Sequence, residues 1–462
     1  MTGFFAISIY GVLGAIPLMS PVRRARQITV VSTLLIFLLV HTEVEYSAAA
    51  LLIAFAVNAL LAIRLGEVAA VPLFVAAALV WTALRQWFAA PSVDELGVQM
   101  VTVAVMLLLA GNVRRLGKDV IWSLQVTVAV TVVLQLTFAV GERFFGLNAP
   151  WPRRDGVTFN IVGSNNLWEG LGGRAMGSLG WAITLGQVAA LCAILSVWFF
   201  ARSKRWSWMV AAFSAVFVVL LSGTRTGLLM IAAAGAVALV SRLKNLWITV
   251  LLTLATLTVV AAGPLFFGDV FGFGADSEGT RSVEHRRLVS GSIPDLLTQP
   301  SGAVLFGHGY DEVPSLLTEG IIQGAPGVPV TDNEIIRTLA GLGIVGAALW
   351  GAAFVVAFIR GHVVVRALAV ALLIGAASYD SLTWRSLLAL SVVILSMNVS
   401  GASTRDAEDA RGAEVGQYGR SGEDGRPGGE ENQAFRPPRM TPSASSVREM
   451  NTRAWTTRRT IR

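Results

Sequence analysis

The sequence is poor in the residues that soluble proteins use most. Charged side chains make up only 14% of its 462 residues, against roughly 25% in a soluble domain, and the mean hydropathy is +0.65. That excludes the two or three soluble domains its length would otherwise suggest. The single cysteine, Cys192, lies in an apolar run, which excludes an intramolecular disulfide and a thiolate metal site. The four histidines, His41, His285, His308 and His362, show no His-x-x-x-His spacing, so no metal is expected. No glycine-rich segment ends in Gly-Lys-Ser or Gly-Lys-Thr, which excludes a phosphate loop for nucleotide hydrolysis, and nothing implies a cofactor. Internal repeats of 20 to 50 residues are also absent. Lysine is scarce: Lys118, Lys204 and Lys244 stand against 33 arginines, whose planar forks can grip phosphate oxygens in pairs.

What is present is apolar length. A bilayer core of ~30 Å takes roughly 17 to 25 apolar residues per helix. Such runs recur at about 3–19, 28–42, 46–63, 68–84, 97–111, 120–139, 179–200, 208–222, 226–241, 246–263, 335–359, 363–378 and 381–398. The fold class expected is therefore all-α, a polytopic membrane bundle of 12 or 13 helices. The net charge of +7 falls in short clusters between these runs, which is a topology signal and not a nucleic-acid surface. One set of alternate loops holds fourteen basic residues, from Arg23, Arg24 and Arg26 to Arg360 and Arg366, while the other set's short loops hold only Arg85, Arg225 and Arg385. The basic side is expected to be cytoplasmic. The N-terminus then lies outside with 13 spans and inside with 12, and the first apolar run is expected to stay as a helix because it lacks a basic leader.

This divides the chain into N-terminal helices (1–139), a first outer loop (140–178), central helices (179–263), a large outer loop (264–334), C-terminal helices (335–398) and a tail (399–462). The tail is rich in Gly, Pro, Glu, Arg and Ser and is expected to be disordered and cytoplasmic. Its basic end, Arg436 to Arg462 with Glu449 as the one acid, is either solvated or rests on anionic lipid.

Ionisable groups at the ends of spans are the candidates for chemistry. Arg174 closes the first outer loop in Gly172-Gly173-Arg174-Ala175-Met176-Gly177, and Arg225 lies in the short turn Ser222-Gly223-Thr224-Arg225-Thr226-Gly227. Arg281 opens the large loop, and on a helix it would share a face with His285. That loop sets Arg281, Arg286 and Arg287 against ten acids, so individual arginines would have to converge on a ligand, with carboxylates left as bases or for sugar hydroxyls. It also holds the glycine turn Gly307-His308-Gly309 and the stretch Thr331-Asp332-Asn333-Glu334. The plain alternatives to a functional role are a simple turn for the first and, for the second, an N-cap in which Thr331 or Asp332 accepts backbone N–H bonds.

Taken in order, these pieces resemble the O-antigen ligase and polymerase superfamily over about residues 170–350. The matching elements are Arg174 to Gly177, Thr224-Arg225, Arg281, Gly307-His308-Gly309, and Asn333 followed by Leu342-Gly343-Ile344-Val345-Gly346. The resemblance implies a GT-C-like helix bundle in the cytoplasmic membrane. It would move a glycan from a polyprenyl diphosphate carrier to an acceptor hydroxyl at the outer face, as ligase or polymerase. Arg174, Arg225 and Arg281 would bind the diphosphate. The implied partners are the lipid-linked donor, a glycan or lipid acceptor, and membrane lipids, with no nucleic acid. The sequence departs from the pattern at Asp332, where the family has the histidine implied as base, and around Leu179-Gly180-Trp181, where it has proline. Asp332, with Asn333, would then activate or position the acceptor, and His308 is the second choice. The competing expectations are a transporter or flippase of lipid-linked solutes, which would place charges inside several spans, and a noncatalytic envelope-assembly scaffold.

Overall fold

The computed structural model describes residues 22–39, 47–65, 70–89, 93–148, 165, 167–241, 251, 285, 287–325, 331–379, 381–382 and 384–397. These fall within one compact unit, 1–403. The expected span at 3–19, that at 246–263 apart from residue 251, Arg281, Arg286 and the tail after Ser400 lie outside the described residues.

Apolar runs become helices because, away from water, a helix satisfies its own backbone. The long ones are α1 (Val22–Leu39), α2 (Ser47–Leu65), α3 (Leu73–Ala89), α4 (Val93–Leu116) and α5 (Val120–Phe144). They continue with α6 (Ala182–Ser203), α7 (Ser207–Ser222) and α8 (Arg225–Val240). Among the described residues four stretches are long and apolar enough to cross a membrane: Ala48–Leu65, Leu96–Phe144 (α4, a 3-10 turn and α5), Ala182–Ser203 and Glu334–Arg360. Described parts of the loop that follows residue 264 include the short helices α9 (Ile293–Leu297), α10 (Ser301–Phe306) and α11 (Val313–Thr318). Val289, Leu296, Val313, Leu316 and Ile322 of this loop bury themselves against Ile336 and Ala340. The chain ends its described part with α12 (Glu334–Arg360), α13 (Val363–Ser378) and α14 (Arg385–Ser396).

Small residues set how closely these helices approach. A side chain on Gly227 of α8 would meet the Gly186 carbonyl of α6 at 2.9 Å, so the two backbones touch there. Buried polar side chains bind helices to one another: Asn58 of α2 donates to Thr33 Oγ1 of α1 at 2.8 Å and accepts from Asn112 Nδ2 of α4 at 3.1 Å. The helices alternate in direction. One end, the Thr224 end, gathers Leu38, Ala89, Gln135, Ser178, Thr224, Glu334 and Leu382 through direct contacts. At the other, the Arg202 end, Ser123 donates to the Gln27 carbonyl at 3.0 Å and Arg366 to the Phe358 carbonyl at 2.9 Å.

Helix α12 is broken. Gly343 leaves the helical region with φ 68° and ψ −173°, which frees carbonyls one turn back. The glycine turn after α10 takes them: the His308 N–H donates to Ala340 O at 2.8 Å and the Gly309 N–H to Gly341 O at 2.7 Å. The Trp81 indole of α3 donates to Leu342 O at 3.0 Å. Arg85 of α3 donates to Gly307 O at 2.7 Å, so α3 holds both partners. The contact is backbone on backbone, since a Cβ on Gly307 would strike Gly341 and Gly343, and one on Gly343 would strike Leu305 and Gly307.

Gly307→Ala and Gly343→Ala should therefore each destabilise the protein by more than about 2 kcal/mol, because both combine a positive φ with a backbone clash. Gly351→Ala, later in α12 and with open space around it, should be neutral or stabilise by up to about 1 kcal/mol. Thermal unfolding of the detergent-purified variants checks this, and a Gly343→Ala protein that melts with the wild type would contradict it.

Candidate functional site

The Thr224 end carries the candidate residues in two groups. The first forms where α7 turns into α8. Gly223 closes α7 in the left-handed region (φ 64°), and Thr224 follows in an extended conformation. The strap before α6 packs onto this turn. Arg174 Nε donates to Ser222 O at 2.8 Å, its Nη2 donates to Thr224 Oγ1 at 3.3 Å, and the Ala175 N–H donates to Leu221 O at 2.9 Å. Thr224 passes its own hydroxyl proton to Ala182 O at 2.8 Å and so does not cap α8. Arg225 is thus the first residue of a 16-residue helix whose N-cap side chain is committed elsewhere, a place where backbone dipole and guanidinium favour the same anion. Asn165 braces the turn from the other side, donating to Leu220 O and Leu221 O at 3.0 and 3.2 Å.

Two residues of α5 anchor the strap and were not singled out in the sequence. Gln135 Nε2 donates to Ser178 Oγ at 2.6 Å and to Leu38 O at 3.0 Å, and Gln135 Oε1 accepts the Ser178 N–H at 3.1 Å. Glu142 is buried and accepts the Met176 N–H at 2.7 Å, while its other oxygen has no partner among the described residues. The signal was available: the two polar residues sit seven apart, on one face of a largely apolar helix.

The second group surrounds the start of α12. Asn333 is the N-cap, its Oδ1 accepting the Ile335 and Ile336 N–H groups at 3.0 and 3.3 Å. This corrects the expectation of Thr331 or Asp332, because Asp332 takes a left-handed backbone (φ 45°) and Asn333 is the extended residue that enters the helix. A left-handed aspartate is uncommon and carries some strain. Glu334, given no role in the sequence beyond its place in the Thr331–Glu334 stretch, is buried and ties three segments together. Its Oε1 accepts from Thr338 Oγ1 at 2.9 Å and from Tyr310 Oη at 3.3 Å, and its Oε2 accepts the Leu382 N–H at 2.8 Å. Arg337 lies over the Tyr310 ring at 5.6 Å. His308 is fixed through its backbone to α12, and its ring Nε2 is enclosed with no partner among the described residues. His285 acts structurally, its Nδ1 accepting the Ala325 N–H at 3.0 Å.

A short relay joins the two groups. Gly186 packs on Thr224, the adjacent Gln187 accepts from Ser381 Oγ at 3.2 Å, and Leu382 binds Glu334. The structure thus brings Arg174 against Thr224-Arg225, and His308 and Asn333 onto α12, at one end of one bundle. Arg281 lies outside the described residues. Among the described residues no group of three or more His, Cys, Asp or Glu could hold a metal ion. The chain matches no family model and no curated protein.

Burial, and then the neighbouring Glu334 carboxylate, push the Tyr310 phenol well above its ordinary value. The folded state therefore holds this proton more tightly than the unfolded chain. The stabilisation is complete below the ordinary value of ~10 and is lost as pH rises through the folded one. Ultraviolet difference titration of wild type against Tyr310→Phe should show no Tyr310 phenolate step near pH ~10, and Glu334→Gln should bring the step down. A step at the ordinary value in the wild type would contradict the burial.

Proposed function

We propose that this protein is an integral membrane glycosyltransferase of the O-antigen ligase or polymerase type. It takes a glycan from a polyprenyl diphosphate and gives it to an acceptor hydroxyl at the outer face of the cytoplasmic membrane. The observation that carries the reading is the meeting of Arg174 with the Thr224-Arg225 turn at the same end of the bundle as the Asp332-Asn333-Glu334 start of α12. The excess of basic residues at the opposite end supports the orientation.

In this reading the work is divided between the two groups. Arg225 and the N-terminus of α8 stabilise the charge that develops on the leaving diphosphate. Arg174 donates to Ser222 and Thr224 and so holds the turn in place beside the diphosphate. As the sugar C1–O bond to the diphosphate breaks, its electron pair leaves with the diphosphate and the acceptor oxygen bonds to C1. The acceptor's proton goes to Asp332. The left-handed backbone at Asp332 supports this assignment, since strained residues gather where geometry serves function. Asn333 spends its side-chain oxygen on the helix start and so positions Asp332. The helical loop around α9 to α11 covers the site, and the polyprenyl chain lies between helices.

The test is a transfer assay with purified protein, a polyprenyl-diphosphate oligosaccharide, an acceptor glycan and a chelator. Wild type should form product, and product length distinguishes ligation from polymerisation. Asp332→Asn and Asp332→Gly should both lower the rate by roughly 10²- to 10⁴-fold, although Gly relieves the backbone. Arg225→Ala should lower it by about 10²-fold or more while insertion and expression hold. Wild-type rates from either Asp332 variant would remove that residue from the chemistry, and donor binding without product would favour a transporter or scaffold.

A further inference from the structure

The Arg202 end holds a cationic cluster for which the proposed chemistry has no use. Arg202, Lys204 and Arg205 lie at the turn between α6 and α7, and Arg360, His362 and Arg366 at the turn between α12 and α13. Among the described residues Asp119 is the one carboxylate at this end, and none of Arg202, Lys204, Arg205 and Arg360 pairs with an acid. So many like charges at one end of an apolar bundle repel one another unless an anion joins them. Helices α6 and α13 pack on each other, and Arg202 from one turn and Arg366 from the other both lie close enough to act electrostatically on His362.

The cluster is also shaped. Arg366 is held in one orientation: its Nε donates to Phe358 O at 2.9 Å, its Nη2 donates to Ile359 O at 3.3 Å, and the guanidinium lies 6.0 Å over the Phe358 ring. His362 begins α13, and its enclosed Nδ1 has no hydrogen-bond partner among the described residues. Arg202 projects as an exposed side chain from the last turn of α6. Around it runs an aromatic girdle, with Phe199 against Trp208 at 4.8 Å and Phe200 against Trp206 at 5.4 Å. Trp206 is 73% exposed. An exposed tryptophan beside arginine at the end of apolar helices belongs at the depth of lipid headgroups.

We propose that the seam between the α6–α7 and α12–α13 turns binds the phosphate of an anionic phospholipid headgroup, with Arg202 and Arg366 on its oxygens and His362 between them. Inorganic phosphate offers the same oxygens. The aromatic girdle favours the lipid, because Trp206 and Trp208 give the acyl region something to rest on.

Native mass spectrometry of the full chain in detergent, with phosphatidylglycerol or phosphatidylcholine added, tests this. Phosphatidylglycerol should be retained in preference, and Arg202→Gln should weaken its retention roughly fivefold. His362→Gln should weaken it as well, whereas Arg114→Gln, exposed on a different turn of the same end, should not. Arg202 makes no contact that folding needs, so its variant decides the matter should His362→Gln elute as aggregate. Equal retention of the two lipids, or unchanged phosphatidylglycerol retention in Arg202→Gln, would overturn the site. Displacement of the lipid by inorganic phosphate at equal concentration would overturn the lipid as its occupant.

Discussion

A backbone carbonyl without a donor is costly wherever water is scarce, and the break in α12 would leave such carbonyls buried near the Thr224 end. They are met by His308, Gly309 and Trp81. At ~1–3 kcal/mol for each group left unmet, the His308 and Gly309 bonds add to the burial of Val289, Leu296, Val313, Leu316 and Ile322 in holding the helical loop on the bundle. The rest of the Thr224 end depends on that attachment. It sets Tyr310 beside Glu334, lets Arg85 reach Gly307, and leaves Glu334 to capture Leu382 from the α13–α14 turn. Glycine is needed at 307 and 343 because the two backbones approach too closely there for any side chain, and at 309 because φ is positive and Ala89 lies against it.

The two ends of the bundle are built on opposite electrostatic plans. At the Thr224 end Arg174, Gln135, Asn165, Asn333 and Glu334 each meet specific donors or acceptors, and arginines act as braces as well as charges. At the Arg202 end basic side chains accumulate with little to neutralise them. Chemistry on a diphosphate suits the first plan, since preorganised donors stabilise developing charge. Contact with an anionic lipid surface suits the second.

Much of the helical framework was legible in apolar runs alone. The run at 363–378 coincides with α13, and that at 335–359 with α12 to within a residue at each end. Errors arose where polar residues belong to helices. The fifth described helix was expected to stop at 139 but reaches Phe144, because Glu142 finds the Met176 amide and stays buried. The run at 68–84 shifts to 73–89, since Arg85 is satisfied by a carbonyl distant in sequence. Helices α9 to α11 have five or six residues each, too few to show a period. The nearness of Arg174 to Thr224-Arg225 agrees with their shared placement at span ends. The docking of Gly307-His308-Gly309 onto Gly341 and Gly343 was not legible, because long-range pairing of backbone with backbone leaves no side-chain pattern. Only the glycines themselves marked it.

The central claim, that the catalytic end and the cationic end lie on opposite sides of a membrane, is open to direct measurement. Cys192 is the single cysteine and is buried, so the native chain is already close to a blank background for thiol labelling. Thr318→Cys on the helical loop and Ser203→Cys at the end of α6 both introduce exposed thiols. An impermeant maleimide added to intact spheroplasts should label the first at once and the second only after lysis. Labelling of both from outside, or of Ser203→Cys alone, would contradict the orientation on which the proposed chemistry rests.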